Sequence, residues 1–226
     1  MVKLTFMKSI AIGFVAVAVM TLGHSSATAA EVAVAGFTNG CFAAAPCVPG
    51  TTLNVTPVSL FGLTFTPSTF SGMTAGGGLA IGNAPGTPNI NNLGSFSLDT
   101  VANNGYAGQN FSLRVSFTAP PGIVGGNSAV FNATLSGMVN PGGTGGVIIT
   151  FSNTTIPFSF TSGGTTGTFN LGVNTVSVSP GALVSLTGQI TGAQQTAVPE
   201  PTGMILLGTG LVGIAGLARK RRRRNR

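Results

Sequence analysis

The clearest regularity along the chain is an alternation of period two. Phe111, Leu113, Val115 and Phe117 share one side of an extended segment, and Ser112, Arg114, Ser116 and Thr118 share the other. That is the pattern of a strand with one buried and one polar face. It recurs at Leu63 and Phe65, at Phe96 and Leu98, at Phe131, Ala133 and Leu135, and at Val147, Ile149 and Phe151. It continues through Ile156, Phe158 and Phe160, through Phe169, Leu171 and Val173, at Val176 and Val178, and at Val184, Leu186 and Ile190. About nine or ten short strands are expected, separated by turn chemistry such as Pro120-Pro121-Gly122, Pro141-Gly142-Gly143, Gly163-Gly164 and Pro180-Gly181. One apolar and one polar face per strand predicts an all-β fold, an antiparallel two-sheet β-sandwich over residues 53–195. A parallel β-solenoid is the alternative all-β reading, but the strand spacings wander and no fixed repeat is present. On this pattern Leu113→Asp should unfold the domain, and Ser112→Asp should cost little because its side chain faces outward.

Composition supports a turn-rich packed body. Of 226 residues, 35 are Gly and 13 Pro, too many breakers for a helical bundle, while 43% are hydrophobic and 15 are Phe, enough to collapse. The formal charge of +7 invites a nucleic-acid reading until the cations are located. Lys3 and Lys8 stand at the start and Arg219, Lys220, Arg221, Arg222, Arg223, Arg224 and Arg226 at the end. Between Glu31 and Glu200, Arg114 is the one basic residue against three acidic ones, Glu31, Asp99 and Glu200. Phosphate recognition needs several cations on one face, so no nucleic-acid partner is expected.

The two ends read as addresses. Residues 1–30 place two lysines, a short apolar run from Ile10 to Met20 and small residues Ala27, Thr28, Ala29 and Ala30 in the order of a cleavable signal peptide, read by the secretion translocon and signal peptidase. The cut is expected after Ala30 or Ala29, and His24, the only histidine, leaves with it. An uncleaved N-terminal anchor is the alternative, disfavoured by the short apolar core. Residues 196–226 combine Pro199-Glu200-Pro201, an uncharged stretch at 202–218 and the basic cluster at 219–226. Seventeen residues rise about 25 Å as a helix, near the short limit for a transmembrane span. The cations would hold that end in the cytoplasm and leave the body outside.

This tripartite tail resembles the PEP-CTERM sorting signal of bacterial exported proteins, over roughly the last 29 residues. The resemblance implies a Gram-negative, exopolysaccharide-making host and processing near Pro199-Glu200-Pro201 by an exosortase-type membrane enzyme, with the protein membrane-anchored before processing and at the cell surface or outside the cell afterwards. An ordinary tail anchor with a proline-containing linker is the alternative. The two prolines enforce an extended segment, and Glu200 offers a single charged handle. The spacing of the aromatic strands and the run from Asn110 to Gly137 are similar to the β-sandwich modules of the choice-of-anchor group.

Residues 31–52 are Ala-, Gly- and Pro-rich and hold the only cysteines, Cys41 and Cys47. In an exported chain so close a pair points to a disulfide, contributing about 2 kcal/mol by loop entropy. A metal site is the alternative, but two thiols without histidine or clustered carboxylates cannot fill four positions. Chemistry is scarce elsewhere. Acid–base catalysis needs a proton-transferring group, and the body between the ends has no histidine or lysine and few carboxylates. Asp99 reads as a turn acid, and Asp99 with Asn103-Asn104-Gly105 as the one weak calcium candidate. Sugar platforms of Trp or Tyr are missing apart from Tyr106, and the threonines at 64, 66, 165, 166 and 168 form no long regular array. The expectation is a non-catalytic exported surface or matrix protein without cofactor or metal. The alternative is a binding module for exopolysaccharide or another envelope component.

Overall fold

In a computed structural model of the chain, the described residues are 31–82, 91–101, 104–152 and 155–197, with 208, 210, 211, 213, 214 and 219 of the tail. The signal segment 1–30 lies outside them. Fifteen strands occur among the described residues, more than the alternation alone suggests, because several are only two to four residues long. The first five are β1 (Ala33–Ala43), β2 (Val58–Leu60), β3 (Leu63–Thr66), β4 (Thr69–Met73) and β5 (Leu79–Ile81). Next come β6 (Ser95–Leu98), β7 (Asn110–Ala119), β8 (Ile123–Val124), β9 (Ser128–Asn140) and β10 (Thr144–Phe151). The last are β11 (Thr155–Ser162), β12 (Thr165–Val173), β13 (Val176–Val178), β14 (Leu183–Ser185) and β15 (Gly188–Ala197).

All strand pairings are antiparallel. They form three sheets where two were expected: six strands in the order β13-β10-β9-β7-β1-β4, five in the order β5-β15-β12-β11-β8, and four in the order β14-β6-β3-β2. Ring contacts show how they stack. Phe111, near the start of β7, meets Phe65 and Phe96 of the four-stranded sheet at centroid distances of 4.9 and 5.1 Å. Phe117, near its end, meets Phe158 and Phe169 of the five-stranded sheet at 4.8 and 5.1 Å. The six-stranded sheet is therefore one layer of a sandwich, and the two smaller sheets share the other. A period-two pattern reports the buried face of each strand but not where a layer divides, so the split was invisible in the sequence.

The segment 183–197 joins the two halves of the divided layer. Its first part pairs with β6, and mutual bonds between Leu93 N–H and Leu186 O (2.9 Å) and between Leu186 N–H and Gly94 O (2.8 Å) carry that ladder onward. Two residues later the chain enters β15, between β12 and β5. Both ends of the body meet at one place. Val32 N–H donates to Thr74 Oγ1 (2.8 Å), Thr74 N–H to Val32 O (3.0 Å), and Ala193 N–H to Gly77 O (2.9 Å). The turn from Thr74 to Gly78 thus holds the entering chain and the last strand together.

Residues 31–52 are not a segment apart: β1 runs inside the six-stranded sheet, between β7 and β4. Glycine permits this close packing. A Cβ at Gly40 would lie 2.7 Å from the Phe111 ring, so the ring rests on bare β1 backbone. Among the described residues no helix is long and apolar enough to cross a membrane. The expected span at 202–218 falls almost wholly outside them, and Gly208, Gly210, Leu211, Gly213 and Ile214 have helical backbone.

One expectation is overturned. Ser112 does not face solvent: it is fully buried, and its hydroxyl donates to Asn132 Oδ1 at 2.9 Å. Ser116 is buried as well, because the outer face of β7 is covered. Ser112→Asp should therefore lower stability by about 1–3 kcal/mol, by stranding a hydrogen-bond partner and burying charge. Leu113→Asp should unfold the domain outright, since an unpaired carboxylate would enter the core. Urea titrations followed by far-UV circular dichroism check both, and a parental midpoint for Ser112→Asp would contradict the covered outer face.

Candidate functional site

The cover over β7 is a strap formed by residues 44–54. Arg114 Nε donates to Pro49 O at 2.9 Å and its Nη1 to Ser128 Oγ at 3.0 Å. On the neighbouring strand Asn39 Nδ2 donates to Gly50 O (2.8 Å) and Thr52 O (2.6 Å), while its Oδ1 accepts from Asn54 N–H (3.1 Å). Asn110 Nδ2 donates to Ala44 O at 3.0 Å. The strap starts at a covalent tie, with the Sγ atoms of Cys41 and Cys47 bonded at 2.05 Å and their Cα atoms 6.2 Å apart. The one cation of the body is thus occupied in holding a loop down. A lone arginine on a serine-rich strand face was a readable hint of this, and Asn39 carried no comparable signal.

At the opposite end from Val32 and Ala193, Tyr106 is completely buried, and its hydroxyl donates to Phe61 O at 2.6 Å. Burial first, and the nearby negative charge of Asp99 second, push its phenol above the ordinary 10.0. Asp99 itself is exposed and directly follows β6; its backbone N–H, bonded to Gly62 O at 3.0 Å, carries the β3–β6 ladder one residue further. Of the calcium candidate, Asn103 lies outside the described residues, and the carbonyl of Asn104 accepts from Val139 N–H at 3.0 Å. No group of three or more potential metal-ligating side chains occurs among the described residues. No buried side-chain nitrogen or oxygen among them lacks a partner.

Two depressions among the described residues bear on the question. The larger, about 740 Å³, is an open cleft beside β4 lined by Phe37, Leu53, Phe70 and Asn91 among others. The smaller, about 230 Å³, lies where the chain ends meet, between Glu31, Thr74, Gly77 and Gln194. Neither pairs a nucleophile with a base, and the only charged group in either is Glu31.

The last strand leads straight into the tail. Ala197 is still in register with Thr165, Thr196 with Thr166 and Gln195 with Gly167, so the ladder runs two residues past the boundary expected at 195. Pro199, Glu200 and Pro201 follow at once in the sequence and lie outside the described residues, as do Lys220, Arg221, Arg222, Arg223, Arg224 and Arg226. Arg219 is described, with helical backbone and an exposed side chain. Residues 197–223 match the family model of the PEP-CTERM protein-sorting motif. The chain carries a PEP-CTERM tail. Such a tail marks an exported protein sorted to the cell envelope and implies an exosortase-type enzyme as its processing partner. No curated protein and no solved structure matches the chain, so the likeness of the body to choice-of-anchor modules rests on strand pattern alone.

Tyr106 makes the pH response of the fold specific, because it is the only tyrosine. A phenol whose folded value is raised stabilises the fold fully below its unfolded value of 10.0, and that stability is lost as pH rises through the folded value. Melting temperature should therefore hold from neutrality to about pH 9 and fall above 10, with phenolate absorbance appearing as the fold is lost. Tyr106→Phe should cost about 1 kcal/mol at neutral pH and remove the alkaline fall. Tyrosine ionisation near pH 10 with the fold intact would contradict the buried placement.

Proposed function

We propose that this chain is non-catalytic cargo: a charge-poor β-sandwich exported by its signal segment, held at the membrane by its tail, and sorted to the cell surface or extracellular matrix by an exosortase-type enzyme. The PEP-CTERM match over residues 197–223 carries the reading. Two further observations support it. The described body offers polar groups that are already engaged in the strap, the turns and the ladders, and its single cation has a structural task. Its histidine belongs to the signal segment, which leaves no ordinary proton-transfer group between Glu31 and Ala197 beyond scattered carboxylates.

Proline at 199 and at 201 disfavours helix, and on this reading the enzyme takes Glu200 as the single charged handle of the motif. The basic cluster from Arg219 onward holds its end on the cytoplasmic side. Glu200→Ala should leave an unprocessed, membrane-held form that retains Arg219 to Arg226, detected by membrane fractionation and mass spectrometry. Processing and location at the parental level would show that the carboxylate is not read.

A further inference from the structure

The last strand has a free edge immediately before the motif. β5 flanks β15 only from Gly188 to Ile190, and the following contact on that side is the bond from Ala193 N–H to Gly77 O. Beyond it the turn at Gly76 and Gly77 leads back toward β4, so among the described residues no strand lies beside Gln194–Ala197 on the side away from β12. Backbone groups alternate sides along a strand. Because Ala193 N–H points away from β12, those of Gln195 and Ala197 point away as well. The usual guards of an exposed edge, lysine and proline, are missing from Gln194-Gln195-Thr196-Ala197. The one local irregularity is the bulge at Gly192, with φ of 62°, which lies upstream of the free stretch.

Resting on the reading that the tail is processed, we propose that this edge is the docking site of the sorting enzyme, which adds an extended strand of its own beside Gln194–Ala197. Pairing of this kind takes affinity from main-chain hydrogen bonds and leaves selection to pockets for neighbouring side chains. The small depression bounded by Glu31, Thr74, Gly77 and Gln194 adjoins the edge and offers such a pocket. Chain length argues for this occupant. Glu200 is three residues beyond Ala197, at most roughly 10 Å of extended backbone, so an enzyme reading Glu200 must come up against the end of the sheet. The opposite side of the same residues is taken by β12, which leaves the free edge as the available approach.

Two variants of the full-length exported protein test the edge. Gln195→Pro deletes the outward N–H, a change tolerated at an edge because that donor has no partner within the sheet. Insertion of ten Gly/Ser residues between Ala197 and Val198 keeps edge and tail intact but separates them. Both should slow processing at least tenfold in pulse–chase, with circular dichroism and thermal midpoint confirming that Gln195→Pro folds. Parental rates for the insertion variant, with Glu200→Ala still blocked, would overturn the docking edge and leave the sorting reading standing. Parental processing of Glu200→Ala would remove the sorting reading itself. A dimer cross-linked through Gln195→Cys, with processing unchanged, would assign the edge to a second copy of this chain and also overturn the proposal.

Discussion

Strand β7 carries both halves of the divided layer. Its inward line of Phe111, Leu113, Val115 and Phe117 is wholly buried, with Phe111 under the four-stranded sheet and Phe117 under the five-stranded one. Each ring sits in a cluster of neighbours: Phe111 also meets Phe42 and Phe151, and Phe117 also meets Phe70. Edge and tilted contacts of this kind add about 0.5–1.5 kcal/mol per pair beyond area burial. With both small sheets resting on one strand, the sandwich needs no continuous second layer. Segment 183–197 crosses the gap and delivers the chain to the point where the tail begins.

The scarcity of charge shapes the rest. Polar groups in the body are satisfied by amides and hydroxyls: Thr38 and Ser68 bond to one another across strands, Asn39 gathers three strap bonds, and Ser112 meets Asn132. Between Glu31 and Ala197 the sequence holds no histidine or lysine, and its carboxylates are those of Glu31 and Asp99. Nine of its ten cations lie in the first eight and the last eight residues, the two segments proposed above to address the protein, and the tenth is Arg114.

The strand pattern and the tail were legible because both depend on local order. Alternation identifies a half-buried strand from its own residues, and a motif, an apolar run and a basic end are read in sequence. What escaped depended on distant chain. Ser112 looks exposed by alternation, and only a strap arriving from residues 44–54 buries it. β1 looks like a loose leader because Gly36, Gly40 and its alanines show no strong alternation, yet a Cβ at Gly36 would collide with Ser116 O and the Phe70 ring. Asp99 looked like a turn residue and stands between the end of β6 and the turn that begins at Thr100. The meeting of Val32, the turn at Thr74–Gly78 and Ala193 left no trace in local composition.

That meeting brings Glu31 and Gln194, near the two ends of the described body, to the rim of one depression. The intact mass of the protein recovered from the cell surface or medium tests this account most directly. The account predicts a chain that starts at Ala30 or Glu31, has lost Arg219 to Arg226, and retains the Cys41–Cys47 bond. A surface form that still carries the basic cluster would contradict it.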